Sequence, residues 1–192
     1  SFATLAASFS CPLAALRLGA RRSTPGELSL LLLRHAEAER GGGVPDEDRP
    51  LTKEGRRDAE RLGGLLGADG RVLDLIISSP ARRAADTATL VAGSMGFAGT
   101  VDTEAALYAG GVAAIGAVVK SLSSDVSCAL VVGHDPAISA FVERLTGLRS
   151  RLPPGALAEL SIEPAARARI DAPDVRAKLV RLWRPRHGAA DV

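Results

Sequence analysis

The chain has 192 residues, 46% hydrophobic but only 3% aromatic, with a formal net charge of +2. That length suits one domain with a sizeable core, which must be built from Ala, Leu, Val and Ile. No basic stripe interleaved with aromatics occurs, which argues against nucleic-acid binding, and no apolar run approaches the ~20 residues of a membrane span. Two cysteines, Cys11 and Cys128, are too few for a disulfide framework, so a reduced compartment is expected.

The charge is unevenly spread. Residues 1–26 carry Arg17, Arg21 and Arg22 and no acid; residues 27–148 hold 12 basic and 17 acidic residues; residues 149–192 hold 9 basic and 5 acidic. The first 26 residues are rich in Ser, Ala, Leu and Arg, a composition resembling an organellar transit peptide. The expectation is a leader over 1–26, addressed to plastid (chloroplast) or mitochondrion, and a single domain over 27–192. If the segment is only a tail, the location is cytoplasmic.

From residue 27 strands and helices alternate. Residues 28–35 form a continuous apolar run, as in a strand buried on both faces. Residues 36–50 are polar, with Gly41-Gly42-Gly43 and the acidic cluster Asp46-Glu47-Asp48, and read as a loop at the active edge. Thr52 caps a helix that buries Ala59, Leu62 and Leu66. Residues 72–78 are the second strand, followed by a helix with Ser79 as N-cap and Pro80 at its first position. That helix carries Ala84, Ala88 and Val91 on its apolar side and ends near Gly93. Residues 100–103 predict a short strand, 112–122 a helix and 128–132 a strand. Gly133 permits an unusual turn. Asp135 caps a helix from Pro136 that buries Ile138, Phe141, Val142 and Leu145. Residues 156–162 and 177–183 predict a terminal ribbon joined by a Pro- and Arg-rich loop, with Trp183 plugging the core or edge. This order predicts a three-layer α/β/α sandwich around a mainly parallel mixed sheet.

Two of the three histidines, His35 and His134, stand where an apolar strand ends. In open α/β sheets ligands bind at that edge. Arg34 precedes His35, and its charge keeps a neighbouring imidazole neutral and nucleophilic. His134 opens a helix whose N-terminus favours anions. The segment Ser79-Pro80-Ala81-Arg82-Arg83-Ala84 adds guanidinium forks matched to phosphate oxygens. A metal centre would want a third ligand, for which Asp135 and Glu37 are available, but adjacent arginines oppose a cation. A serine nucleophile lacks its Gly-x-Ser-x-Gly turn, and no phosphate loop of the Walker type is present. Phosphoryl transfer through a histidine fits best, with no metal and no cofactor.

Arg34-His35-Ala36-Glu37 resembles the Arg-His-Gly signature of the histidine phosphatase, or phosphoglycerate-mutase-like, superfamily. Further motifs resemble its SixA-type phosphohistidine phosphatase branch in order. They are Arg49-Pro50-Leu51-Thr52-Lys53-Glu54-Gly55, Ser79-Pro80 through Arg83-Ala84 with Thr87-Ala88, Leu107-Tyr108, Val132-Gly133-His134-Asp135-Pro136, Pro153-Pro154-Gly155-Ala156 and Leu182-Trp183-Arg184-Pro185. The similarity spans about residues 28–186.

The resemblance implies a phosphoglycerate-mutase-like fold and a role for each residue. His35 attacks phosphorus and carries a transient phosphoryl group. Arg34, Arg83 and His134 bind the phosphate oxygens. Arg83 is preferred to Arg82 because it aligns with the Arg-Ala pair of the motif. Ala36 stands where the family has glycine, and the asparagine of mutase-type members is missing, which argues against a sugar-phosphate mutase. Glu104 lies near where other branches carry a general acid, with Glu37 and Asp135 as alternatives.

The expected activity is a metal-independent phosphatase acting on a phosphorylated protein or a small phosphoester, phosphohistidine included. The rivals are a phosphotransferase and an inactive phosphate-binding or structural subunit. Only residues 36–50 and 100–111 could overhang the pocket, and both look too short for a lid.

Overall fold

The computed structural model describes residues 26–149 and 151–185; the leader expected over 1–26 lies almost entirely outside them. Six strands form one sheet: β1 (Leu28–Arg34), β2 (Leu75–Ser78), β3 (Val101–Thr103), β4 (Cys128–Gly133), β5 (Leu157–Ile162) and β6 (Lys178–Trp183). Their order is β3-β2-β4-β1-β5-β6. The pairs β2–β3, β2–β4 and β1–β4 are parallel, whereas β5 runs antiparallel to both β1 and β6. The sheet is therefore mixed and mostly parallel, with the terminal ribbon forming one edge.

The helices are α1 (Lys53–Ala68), α2 (Arg82–Met95), α3 (Ala106–Ala109), α4 (Gly111–Ser121), α5 (Ala137–Thr146) and α6 (Pro164–Ala168). Alternation along the buried strands divides the core into two layers. Leu30 and Leu32 of β1 and Val131 of β4 pack with Val119, Phe141 and Leu145 of α4 and α5. Leu31, Leu33, Leu130 and Val132 face the other way, onto Leu62, Leu66, Ala88 and Val91 of α1 and α2. Residues 30–33 of β1 are all leucine and fully buried because both faces of the strand are covered.

Local chemistry shifts several boundaries. Thr52 caps α1 as expected, its hydroxyl accepting the Gly55 N–H at 2.9 Å. β2 begins at Leu75 rather than residue 72, and Val72 is exposed. α2 does not start at Pro80: Ala81 is its N-cap, with no side-chain cap, and the helix runs past Gly93 to Met95, where Gly96 closes it in the left-handed conformation. The Ser79 hydroxyl is diverted to a tertiary partner described below. α5 starts at Ala137, one residue later than expected, while Asp135 Oδ1 still accepts from the Ser139 amide and hydroxyl. Gly133 is not a turn residue; it is the last residue of β4 and pairs with Arg34. The loop after β5 includes the short helix α6, and Trp183 packs, partly buried, against the α1–α2 side of the core.

Candidate active site

Parallel pairing of Arg34 with Gly133 brings the next residue of each strand to the same edge. The His35 N–H donates to the Gly133 carbonyl at 3.0 Å. The His35 and His134 rings then lie 5.1 Å apart, inclined by 59°. α2 delivers Arg83 from the side, its Nε 3.3 Å from His35 Nε2. Of the two adjacent arginines, the Arg83 side chain is 8% exposed and turned inward, whereas Arg82 is 55% exposed and paired with Asp86.

The tautomer of His35 follows from its contacts. Nδ1 lies 2.8 Å from the Ala36 carbonyl, which can only accept, so Nδ1 carries the proton. Nε2 is left with its lone pair, directed at the Arg83 guanidinium. Burial, followed by the charges of His134, Arg83 and Arg34, pulls the His35 pKa from 6.5 to about 3 despite the opposing Ala36 hydrogen bond. His35 is thus neutral at pH 7, its Nε2 electron pair unprotonated and accepting from Arg83 Nε.

His134 is held differently. Its Nε2 lies 2.8 Å from the Ser79 hydroxyl, and its ring meets Tyr108 edge-on at 5.6 Å. Burial and then Arg83 lower its pKa to about 4, with Asp46 opposing. Arg34 Nη1 donates to the Leu152 carbonyl at 2.7 Å and lies 3.6 Å from Asp135. Arg34 Nε and His134 Nδ1 are buried with no hydrogen-bond partner. Such atoms are costly to leave unpaired, and an acceptor-rich ligand at this edge would relieve the cost.

Residues 36–50 leave the site as a loop pinched at its base. Ala38 bridges Leu51, and the Thr52 N–H donates to the Glu37 carbonyl at 3.0 Å. Ala36 replaces glycine without strain: it is buried, no non-glycine residue among those described has positive φ, and its N–H donates to Thr87 Oγ1 at 3.1 Å. At the loop's far side Asp46 returns to the pocket. Its Oδ2 accepts from Arg83 Nη2 at 2.9 Å and from the Tyr108 hydroxyl at 3.1 Å, and its Oδ1 accepts from Arg49 Nη1 at 2.7 Å. The two segments thought too short for a lid meet through Asp46 and Tyr108 across the mouth. His35 and His134 remain partly exposed beneath them.

Glu104 is engaged elsewhere: its Oε1 accepts the Ala106 N–H at 3.0 Å, at the start of α3. Glu37 accepts from the Thr52 hydroxyl at 3.1 Å. Sequence reasoning missed Ser79 as the partner of His134, Thr87 as the partner of Ala36, and the Asp46–Tyr108 bridge. The available signal was Asp46 three residues before Arg49, the spacing at which a loop arginine folds back on a carboxylate. Among the described residues no group of three or more His, Cys, Asp or Glu is placed to hold a metal ion, and no helix is long and apolar enough to cross a membrane.

Fold and site together place two histidines and two arginines at one edge of the sheet, and comparison with known proteins gives the family. Residues 30–109, which include His35 and Arg83, match the histidine phosphatase superfamily, branch 1. An uncharacterized protein of Mycobacterium leprae is 32% identical over 119 residues, 60% of this chain and 71% of that protein. An uncharacterized chloroplastic protein of Arabidopsis thaliana is 39% identical over 83 residues, 41% of this chain and 38% of that protein. A Nakamurella multipartitia structure, provisionally described as the phosphohistidine phosphatase SixA, superposes with a TM-score of 0.67 at 31% identity, covering 83% of this chain and 97% of that one. The protein histidine phosphatase SixA complexed with tungstate shares the fold, with a TM-score of 0.70 at 19% identity over 81% of this chain and 96% of that one. The chain belongs to the histidine phosphatase superfamily, branch 1, and its fold is phosphoglycerate-mutase-like.

Proposed function

We propose that this chain is a metal-independent phosphatase that uses His35 as nucleophile on a phosphohistidine or phosphoester substrate. The observation that carries this reading is the orientation of His35: Nδ1–H is committed to the Ala36 carbonyl, and the Nε2 lone pair accepts from Arg83 Nε, facing the arginine that would grip the phosphoryl group. In-line attack forms an Nε2–P bond while the bond to the leaving group breaks with its electron pair. Arg83, Arg34 and His134 bind the equatorial oxygens and stabilise the charge spread over them in the transition state. The phosphorylated ring keeps its Nδ1 proton against the Ala36 carbonyl. Water then attacks phosphorus, the electron pair returns to Nε2, phosphate departs and a proton passes to solvent.

The SixA structure that shares this fold is complexed with tungstate, a tetrahedral oxyanion, which supports a phosphate-like ligand for this chain. We further propose residues 27–192 as a single phosphatase domain behind a plastid-addressing leader, on the composition of residues 1–26 and the chloroplastic Arabidopsis relative. Rapid quench with labelled substrate should trap acid-labile phosphate on the protein, and His35→Ala should abolish both the trapped phosphate and turnover. Full activity in that variant would overturn the mechanism. Release of free phosphate, rather than transfer to a second acceptor, separates hydrolysis from phosphotransfer.

A further inference from the structure

We propose that Asp46 is a specificity-determining residue, whose carboxylate, seated on Arg83 at the pocket mouth, favours a phosphoryl group carried on a protonated nitrogen over one carried on oxygen. The proposal rests on the phosphatase reading above and assigns a role to a residue that the reading leaves unused.

Three nitrogens of Arg83 are engaged. Nε meets His35 Nε2, Nη1 donates to the Asp46 carbonyl, and Nη2 donates to Asp46 Oδ2 at 2.9 Å. Nε and Nη2 form the side-on fork with which a guanidinium grips two phosphate oxygens. Asp46 therefore sits on one prong of the phosphate grip. The loop holds it there: Arg49 donates through Nη1 to Asp46 Oδ1 and through Nε to the Glu39 carbonyl, and Tyr108 donates to Oδ2. Hydrogen bonding from Arg49, then from Arg83 and Tyr108, lowers the Asp46 pKa to about 2, so the charge persists at any working pH. Arg83 and Arg49 partly offset it, while Glu47 adds a second negative charge close to Tyr108.

A fixed carboxylate beside the phosphate position discriminates by charge. An aryl or alkyl phosphate arrives as a dianion and develops further negative charge on its leaving oxygen, which Asp46 opposes. Glu104, the candidate acid of the sequence, has its Oε1 accepting the Ala106 N–H instead. A phosphoimidazole protonated on its distal nitrogen is cationic at the ring and offers an N–H donor to a carboxylate. When its P–N bond breaks, the electron pair passes to the ring nitrogen and the ring departs as neutral imidazole, so no external proton is needed.

The test compares kcat/KM for a phosphohistidine substrate and for para-nitrophenyl phosphate in wild type, Asp46→Asn and Asp46→Glu, with melting temperature as the folding control. Asp46→Asn should shift the ratio toward the aryl phosphate about three- to tenfold and tighten inhibition by inorganic phosphate, as removal of one half-exposed charge implies. Asp46→Glu, which keeps the charge, should retain the wild-type preference. Wild-type turnover of both substrates with an unchanged ratio in Asp46→Asn overturns the role of Asp46 alone. Wild-type turnover of neither overturns the phosphatase reading and the selectivity with it.

Discussion

The Thr87 hydroxyl couples the backbone after His35 to the helix that carries Arg83: it accepts the Ala36 N–H at 3.1 Å and donates to the Arg83 carbonyl at 2.6 Å. One buried side chain thus keys the strand that ends at His35 to the helix that carries Arg83. Thr87→Val keeps the shape but leaves the Ala36 N–H without an acceptor. We expect a loss of about 1–2 kcal/mol in denaturant unfolding. We also expect a fall in kcat larger than any rise in KM, because the Ala36 carbonyl that orients His35 loses its anchor. Steady-state kinetics at matched folded fraction checks this, and unchanged kcat would show that Ala36 keeps its position without the Thr87 hydroxyl.

We expect Ser79 to set the proton position on His134, its hydroxyl donating to His134 Nε2 at 2.8 Å while its Oγ accepts weakly from the Ala81 N–H at 3.4 Å. The ring then carries its proton at Nδ1, the buried atom with no partner. In Ser79→Ala the Nε2–H tautomer should gain population, read directly from ¹⁵N chemical shifts of the imidazole. Affinity for phosphate or tungstate should drop several-fold with little change in melting temperature. Wild-type shifts already showing the Nε2–H form would reverse the assignment.

Both imidazoles resist protonation, and the consequence for pH has a definite sign. His35 and His134 titrate at about 3 and about 4 in the folded chain, against about 6.5 when unfolded. The attacking form of His35 therefore persists into acid, and the acid limb of kcat/KM should fall below pH 5 rather than near 6.5. Between pH 6.5 and 4 the unfolded chain binds more protons than the folded one, so stability falls as pH falls through that window and is fully present above it. A melting-temperature series from pH 7.5 to 4.5 should show this slope, and His35→Gln should flatten it.

The surroundings of Gly55 explain why the motif that opens α1 ends in glycine. A Cβ there would lie 2.1 Å from the Glu37 carbonyl oxygen and 2.9 Å from its nitrogen, two residues beyond His35. Gly55→Ala should cost about 2–3 kcal/mol and lower activity by displacing the loop base. Gly64, exposed on the same helix, has nothing within 4 Å of its Cβ position. Gly64→Ala should raise stability by about 0.5–1 kcal/mol, which makes the pair an internal control by calorimetry.

Much of this was legible in the chain because it rests on period and strand termini. β1 and β4 are apolar on both faces and stop at a histidine, and α1 carries its cap and its apolar stripe in order. What escaped was set by contacts between distant residues. Ser79 has the propensity of an N-cap, but its hydroxyl is claimed by His134, 55 positions away, and α2 begins later in consequence. Asp46 belongs to a polar loop in which Gly41, Gly42 and Gly43 all take positive φ, so its return to Arg83 follows no periodic signal. Glu104 was a reasonable candidate acid by position, yet the local N–H of Ala106 offers it a nearer partner.

The strand order carries a consequence for how the protein comes into being. β1 is made first, yet its neighbours in the sheet are β4 and β5, the fourth and fifth strands to be made. β2, β3 and β4 can zip together among themselves, whereas β1 must find partners far along the chain, a slow, entropically expensive closure. His35 therefore has no His134 beside it until the central seam shuts. A nascent or partly refolded chain would be chemically silent, and recovery of turnover after dilution from denaturant would time the closing of that seam.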